Sequence, residues 1–378
     1  MRVSLKYIVP FLAVAVFSCS KPLELPDTKP DTSIVVVEGD VVTGVSMDNT
    51  VLLSRVRSLS DTTAAPISRA QVRVVSENGS VWDLFESPGT PGRYEANLTL
   101  DPKGKYLLQV VTPEVNKYES ALQASKQAPP IDSLTYDQPD PYGGVNIYVH
   151  THDPSNNTRF YRWQAIETWE RHSAYEAYHK YVNGVIVPKD PGDQNFRCWR
   201  TEPVSSILIA STTNLAQDVV SYQPVTTLTK ETEKGYVRYS ILVKQIAMTA
   251  ESFNFWNTIK KNTELTGSLF DPQPSQYATN ISCKTDPKKK AIGFVSVSGS
   301  TEARLFIMNS ALDSWPNAGS DICPSKDFSK PDAESFLSTN PNWLVAYFIT
   351  AGGGFGVAPM SCVDCTLTGG TNIKPLFW

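Results

Sequence analysis

Short runs of alternating apolar and polar residues, separated by turn signals about every ten residues, constrain this chain to antiparallel sheet. Gln71-Val72-Arg73-Val74 alternates, Asn78-Gly79 follows as a hairpin signal, and Val81-Trp82-Asp83-Leu84 answers it. Ile34-Val35-Val36-Val37 and Val51-Leu52-Leu53 precede this pair. Gly92-Arg93-Tyr94 and Gly104-Lys105-Tyr106 then repeat a glycine, a spacer and a tyrosine at strand entrances. With 10% aromatic residues and no heptad pattern, the chain reads as mainly β.

Residues 34–130 are expected to form one small β-sandwich. They resemble transthyretin-like modules, with an immunoglobulin-like (Ig-like) sandwich as the alternative. After Ala128-Pro129-Pro130 a larger β-rich domain is expected over residues 131–378, with one or two short helices. Its strands include Val145–His150, Tyr161–Ala165, Val237–Val243 and Ala303–Ile307. One helix begins at Thr249, a capping residue, with Glu251 in the first turn and Phe253, Trp256 and Ile259 on one face.

Where this body resides is written in the first 33 residues. Arg2 and Lys6 precede an apolar run from Tyr7 to Phe17, the build of a secretory signal peptide over residues 1–18. The run is shorter than the roughly 20 apolar residues a spanning helix needs. Val16-Phe17-Ser18-Cys19 places a branched apolar residue, a spacer and a small residue before a cysteine, as in a bacterial lipobox. Cys19 is therefore the expected lipidation site, and the membrane a partner through that lipid. Residues 19–33 hold Pro22, Pro26 and Pro30 and read as an extended tether at about 3.1 Å per residue.

Export sets the redox environment of the other five cysteines, Cys198, Cys283, Cys323, Cys362 and Cys365. In an oxidising compartment they can form two disulfides and must leave one thiol over. Cys362-x-x-Cys365 lacks the second close pair of a four-cysteine zinc site and the βαβ context of a redox pair, so structural disulfides are expected. Loss of Arg2 and Lys6 takes the formal net charge from −4 to about −6. No basic stripe appears, and nucleic acid is not an expected partner.

No catalytic motif stands out: there is neither a Gly-x-Ser-x-Gly elbow nor a Ser-x-x-Lys pair. Gly352-Gly353-Gly354-Phe355-Gly356 lacks a phosphate-loop lysine and reads as a flexible loop. His150 and His152 share one strand face beside Asp153, but further histidines for a hydrolytic metal are missing nearby, so no metal or cofactor is assigned. Between Phe160 and Tyr181 aromatic residues concentrate. Trp169, Tyr175, Tyr178 and Tyr181 stand among charged neighbours and form the candidate binding surface.

The order of features resembles domain-of-unknown-function family 4249. It rests on Val36-Val37-Glu38-Gly39, the two Gly-x-Tyr units, Leu269-Phe270-Asp271-Pro272 with Pro274, Asn280-Ile281, and Cys362-Val363-Asp364-Cys365 through Pro375-Leu376-Phe377-Trp378. The resemblance implies a Bacteroidota lipoprotein, on the periplasmic or surface side of the outer membrane, encoded beside a TonB-dependent receptor that is its expected partner. It implies no reaction. Asp61-Thr62-Thr63 and Asp132-Ser133-Leu134 resemble the O-glycosylation pattern of that bacterial group, making Thr62 and Ser133 candidate acceptors on surface loops. A non-enzymatic binding accessory to a nutrient receptor is the leading expectation. A glycan-binding or glycan-degrading protein and a structural envelope lipoprotein are the alternatives.

Overall fold

The computed structural model describes residues 31–57, 65–190, 192–264, 279–317 and 323–378. Cys19, the signal segment, most of the tether and Thr62 lie outside them. The chain is mainly β, as its alternation predicts, and is built from two packed sandwiches and a smaller C-terminal unit.

In the first sandwich, Val35–Gly39, Val41–Arg55 and Arg93–Leu100 form one layer. Gln71–Ser76, Lys105–Val111 and Lys117–Ser120 form the other, and Val81–Glu86 pairs with both. Alternation sends Val37, Val51, Leu53 and Tyr94 inward from one layer against Val72, Val74, Leu108 and Val110 from the other. Each such side chain removed from water contributes about 1.5–3 kcal/mol. The Gly-x-Tyr units have a steric purpose. At Gly92 (φ +78°) a Cβ would lie 2.6 Å from the Leu53 carbonyl oxygen, and at Gly104 it would strike the Tyr106 ring. The Tyr106 hydroxyl donates to the Asp101 carbonyl at 3.1 Å, pinning the strand entrance.

This unit does not end at residue 130. Ile281–Cys283 pairs with Lys117–Ser120, and Ala291–Ile292 runs parallel to Val35–Val36. Ile281, Ala291, Val295 and Val297 complete its core, although their positions fall within the larger unit expected from the sequence. Short segments of this kind are fixed by distant partners and carry no alternation of their own.

The second sandwich packs a sheet of Arg197–Pro203, Phe160–His172, Arg238–Ala247 and Val297–Met308 against a three-stranded sheet. The smaller sheet contains Ile131–Asp137, Val145–His152 and Val219–Leu228, all antiparallel. Val145, Ile147, Val149 and Leu228 meet Trp163, Tyr239, Ile241 and Val243 in its core. The strand Val297–Met308 joins the sandwiches, because its first residues run parallel to Val41–Thr43 and the rest pair with Arg238–Ile246. A nearly buried ion pair of Arg162 with Asp40 closes the junction, and the Trp256 ring lies 4.3 Å from that guanidinium. Trp256 comes from the helix Ala250–Glu264, whose first turn is capped at 3.2 Å by the Thr249 hydroxyl.

The C-terminal unit packs the helix Lys330–Thr339 on a sheet of Lys326–Phe328, Gly354–Pro359 and Trp343–Ile349. The glycine-rich run is the turn of a hairpin, with Gly352 and Gly353 at positive φ, and not a free loop. No helix among the described residues is long and apolar enough to cross a membrane.

Candidate functional site

The outward face of the three-stranded sheet sets aromatic rings among ordered polar side chains. Since Val145, Ile147 and Val149 point into the core, Asn146, Tyr148, His150 and His152 must point out. Cross-strand pairing sets Thr135 beside Tyr148 and Ser133 beside His150, while Pro224 flanks Tyr148 from the third strand. The register of that strand shifts opposite Val149–Thr151, and Tyr222 sits in the irregularity with φ +52°. A left-handed conformation costs a non-glycine residue about 1–2 kcal/mol, and a bulky aromatic one is uncommon there.

Specific contacts hold Tyr222 in this conformation. Its backbone N–H donates to His150 Nδ1 at 3.3 Å, and His150 Nε2 lies 2.8 Å from Thr135 Oγ1. With Nδ1 accepting, the proton of the neutral imidazole belongs on Nε2, donated to the threonine. The Tyr222 ring stands nearly perpendicular to the His150 and Tyr148 rings, at 4.7 and 5.7 Å between centroids. It remains 67% exposed. Beside it runs a polar chain: Thr227 Oγ1 donates to Asn146 Oδ1 at 3.0 Å, and Asn146 Nδ2 to Asp137 Oδ1 at 3.2 Å. The Tyr148 hydroxyl also reaches Asp137 Oδ1, at 3.4 Å. Such a surface offers ring faces for stacking and an ordered row of hydrogen-bonding groups.

At the end of this face His152 Nδ1 meets the Asp132 carboxylate at 2.8 Å, and that hydrogen bond raises the His152 pKa. Asp153 does not join the two histidines. Burial pushes its carboxyl up, but bonds from Ser155 Oγ and from the backbone N–H groups of Ser155 and Thr158 outweigh this and hold it at about 2. Among the described residues no three His, Cys, Asp or Glu side chains converge in a metal-holding group.

The aromatic residues singled out from the sequence do not assemble into a surface. Trp169 is buried in the second core, with the Lys234 ammonium 5.0 Å from its ring. The Tyr175 hydroxyl donates to the Cys323 carbonyl at 2.8 Å, and Tyr181 packs against the core around Leu337 and Phe355. Only Tyr178 of the four is well exposed, at 58%. The physical reason is that Trp169 alternates with Tyr161, Trp163 and Ala165 on the inward face of Phe160–His172, while Tyr175 and Tyr181 pack into the C-terminal unit. The final residues reach only the end of that strand's outer side, where Trp378 Nε1 donates to Glu170 at 3.1 Å.

The cysteines pair as Cys198–Cys365 and Cys323–Cys362, leaving Cys283 free and buried. The two cysteines of the C-x-x-C thus belong to different bridges. Ser133 is exposed, but on an edge strand of the three-stranded sheet and not on a loop. Tyr148 and His150 were visible as alternate residues of one strand. Tyr222 carried only an indirect signal, the nearby Pro224, since proline inside a strand marks an edge or a bulge.

Comparison with curated proteins finds no match. Among solved structures, a DUF4785 family protein from Legionella pneumophila is 12% identical over 56% of this chain, with a TM-score of 0.17. This chain spans 52% of that protein. A two-domain fibronectin type-III segment of chicken tenascin is 14% identical over 57% of this chain and 90% of its own, with a TM-score of 0.15. The family model described as "Domain of unknown function (DUF4249)" matches residues 21–304, which takes in the first sandwich and most of the second, ends within the strand Val297–Met308 and stops before the C-terminal unit. By that match the chain belongs to the DUF4249 family.

Proposed function

We propose that the chain is a lipoprotein, anchored to the outer membrane through Cys19, that binds a ligand without transforming it and serves a TonB-dependent nutrient receptor. The observation that carries the binding half is Tyr222, a strained residue whose ring is held in solvent by His150 and Tyr148. Unlike Val115, which has a similar φ at an exposed turn, Tyr222 combines this backbone with an aromatic ring fixed in solvent by two neighbours, a combination that suits a ligand site. The anchor rests on residues 1–33, and the receptor on what the family resemblance implies.

Purification of the tagged, lipidated protein from mild-detergent membranes tests this reading. A stoichiometric TonB-dependent receptor among the retained proteins is expected. Recovery of the protein alone would overturn the receptor half, and a Tyr222→Gly variant that retained every partner and ligand of the parent would overturn the binding half.

A further inference from the structure

We infer that the face formed by Tyr148, His150 and Tyr222 takes a saccharide, with a pyranose ring stacked on Tyr222 and its hydroxyls hydrogen-bonded along Asp137, Asn146 and Thr227. The inference rests on the reading that this face binds, and it adds the class of ligand.

Three features of the face select that class. First, the C–H-rich side of a pyranose is weakly electropositive and apolar, so it packs on the negative face of an aromatic ring. An exposed phenol fixed in orientation by two perpendicular neighbours supplies such a ring at little entropic cost. Second, sugar hydroxyls both donate and accept, and they need partners of both kinds in a fixed row. The chain from Thr227 through Asn146 to Asp137 is ordered before any ligand arrives and carries a carboxylate, an amide and a hydroxyl.

Third, the face discourages the other common ligands. None of its three strands, Ile131–Asp137, Val145–His152 and Val219–Leu228, contains a lysine or arginine. A phosphate or nucleotide would therefore find no guanidinium or ammonium on these strands. A peptide strand or amphipathic helix would want aliphatic pockets, whereas the aliphatic side chains of these strands largely fill the core behind the face. Both ring nitrogens of His150 are occupied by Tyr222 and Thr135, so His150 is a positioning residue that aims the stacking ring.

The test is a titration of the purified mature protein with neutral gluco-, manno- and galacto-configured tetrasaccharides by calorimetry, comparing the parent with Tyr222→Gly, Tyr222→Phe and Asp137→Asn. Glycine tolerates φ +52° without strain, so Tyr222→Gly should keep its melting temperature while losing the ring. At least one tetrasaccharide should bind the parent. Its Kd should rise tenfold or more in Tyr222→Gly, several-fold in Asp137→Asn and less than threefold in Tyr222→Phe. Binding that survives Tyr222→Gly unchanged would overturn the assignment of the face.

Absence of binding by every tetrasaccharide would overturn the saccharide class. If Tyr222→Gly then still lost material retained by the parent in the membrane purification, the binding reading would stand with another ligand. If it lost nothing, both would fall.

Discussion

The two sandwiches have cores of the same kind, but one outer sheet of the second differs in charge from the strand faces of the first. On the first, ion pairs join a strand to its neighbour or to a turn (Arg73 with Asp83, Lys105 with Glu77) or link residues along one strand (Lys117 with Glu119), all within 2.9 Å. Each contributes roughly 0–1 kcal/mol, and their larger effect is to keep strand faces solvated and unattractive to other sheets. On the second, the outer three-stranded sheet lacks any lysine or arginine and shows aromatic rings. One architecture thus carries paired charges on its exterior in one half and, on the proposed reading, a recognition surface in the other. Charge placement, and not core packing, makes the difference.

The largest test of this contrast concerns the bridges, which lie entirely in the second half of the chain. Cys198 and Cys365 are 167 residues apart, and closing a loop of that length restricts the unfolded chain strongly. The Cys198→Ser/Cys365→Ser double variant should lose about 2–5 kcal/mol. Hydrogen exchange should show the loss in Arg197–Pro203 and Phe160–His172 before it reaches Gln71–Ser76 and Lys105–Val111. Equal loosening of both sandwiches would break the comparison.

Acid should act on the second sandwich next. Asp153 is depressed from an ordinary 3.8 to about 2 in the fold. Its contribution, about 2 kcal/mol, is therefore complete above about pH 5, shrinks as pH falls through the unfolded value and is gone below about 2. Asp153→Asn should remove about that much at pH 7 and flatten the acid limb of the stability profile, as read by urea denaturation between pH 2 and 5. An unchanged profile would show that the loop at Asp153–Thr158 tolerates the loss.

Strain offers a smaller and sharper contrast. Val115 in the first sandwich has φ +63° at an exposed turn where its N–H donates to the Thr112 carbonyl. Glycine is the usual residue at such a position. Val115→Gly should stabilise by about 1 kcal/mol, because a β-branched side chain is strained there and packs on little. Tyr222→Gly should gain less, since the relief is offset by lost ring contacts worth about 0.5–1.5 kcal/mol. A larger gain at Tyr222 than at Val115 would mean that His150 and Tyr148 do not support the ring.

The smallest expected effect is the titration of His152. Asp132 raises its pKa in the folded state, so the ion pair is fully present below the unfolded value of about 6.5 and is lost as pH rises through the folded one. Asp132→Asn should move the His152 NMR titration to lower pH. It should leave the chemical shifts of Tyr94 and Tyr106 in the first sandwich untouched.

Much of the first sandwich was legible because its signals are local. Asn78-Gly79 makes the hairpin it promises, the two Gly-x-Tyr units mark strand entrances, and Thr249 caps the helix. What could not be read depends on partners distant in the chain. Nothing in Ile281–Cys283 or Ala291–Ile292 says that they return to strands more than 150 residues earlier. Trp169 looked available because its charged neighbours suggested exposure, but it shares the inward face of its strand with Trp163 and Ala165 and faces the second core, with Lys234 against its ring. The candidate site was half visible. Tyr148 and His150 follow from alternation, whereas Tyr222 owes its position to a register shift between two strands.

Three exposed tyrosines allow the central claim, that the outer face of the three-stranded sheet is where this protein binds, to be tested directly. The measurement is tyrosine nitration mapped by mass spectrometry, comparing the lipid-anchored protein in its own membranes with the purified protein. The account predicts that Tyr222 is protected in membranes while Tyr178 on the C-terminal side and Tyr142 in the loop before Val145 react as they do in solution. Protection of Tyr178 with Tyr222 fully reactive would contradict it and move the binding surface to the C-terminal unit.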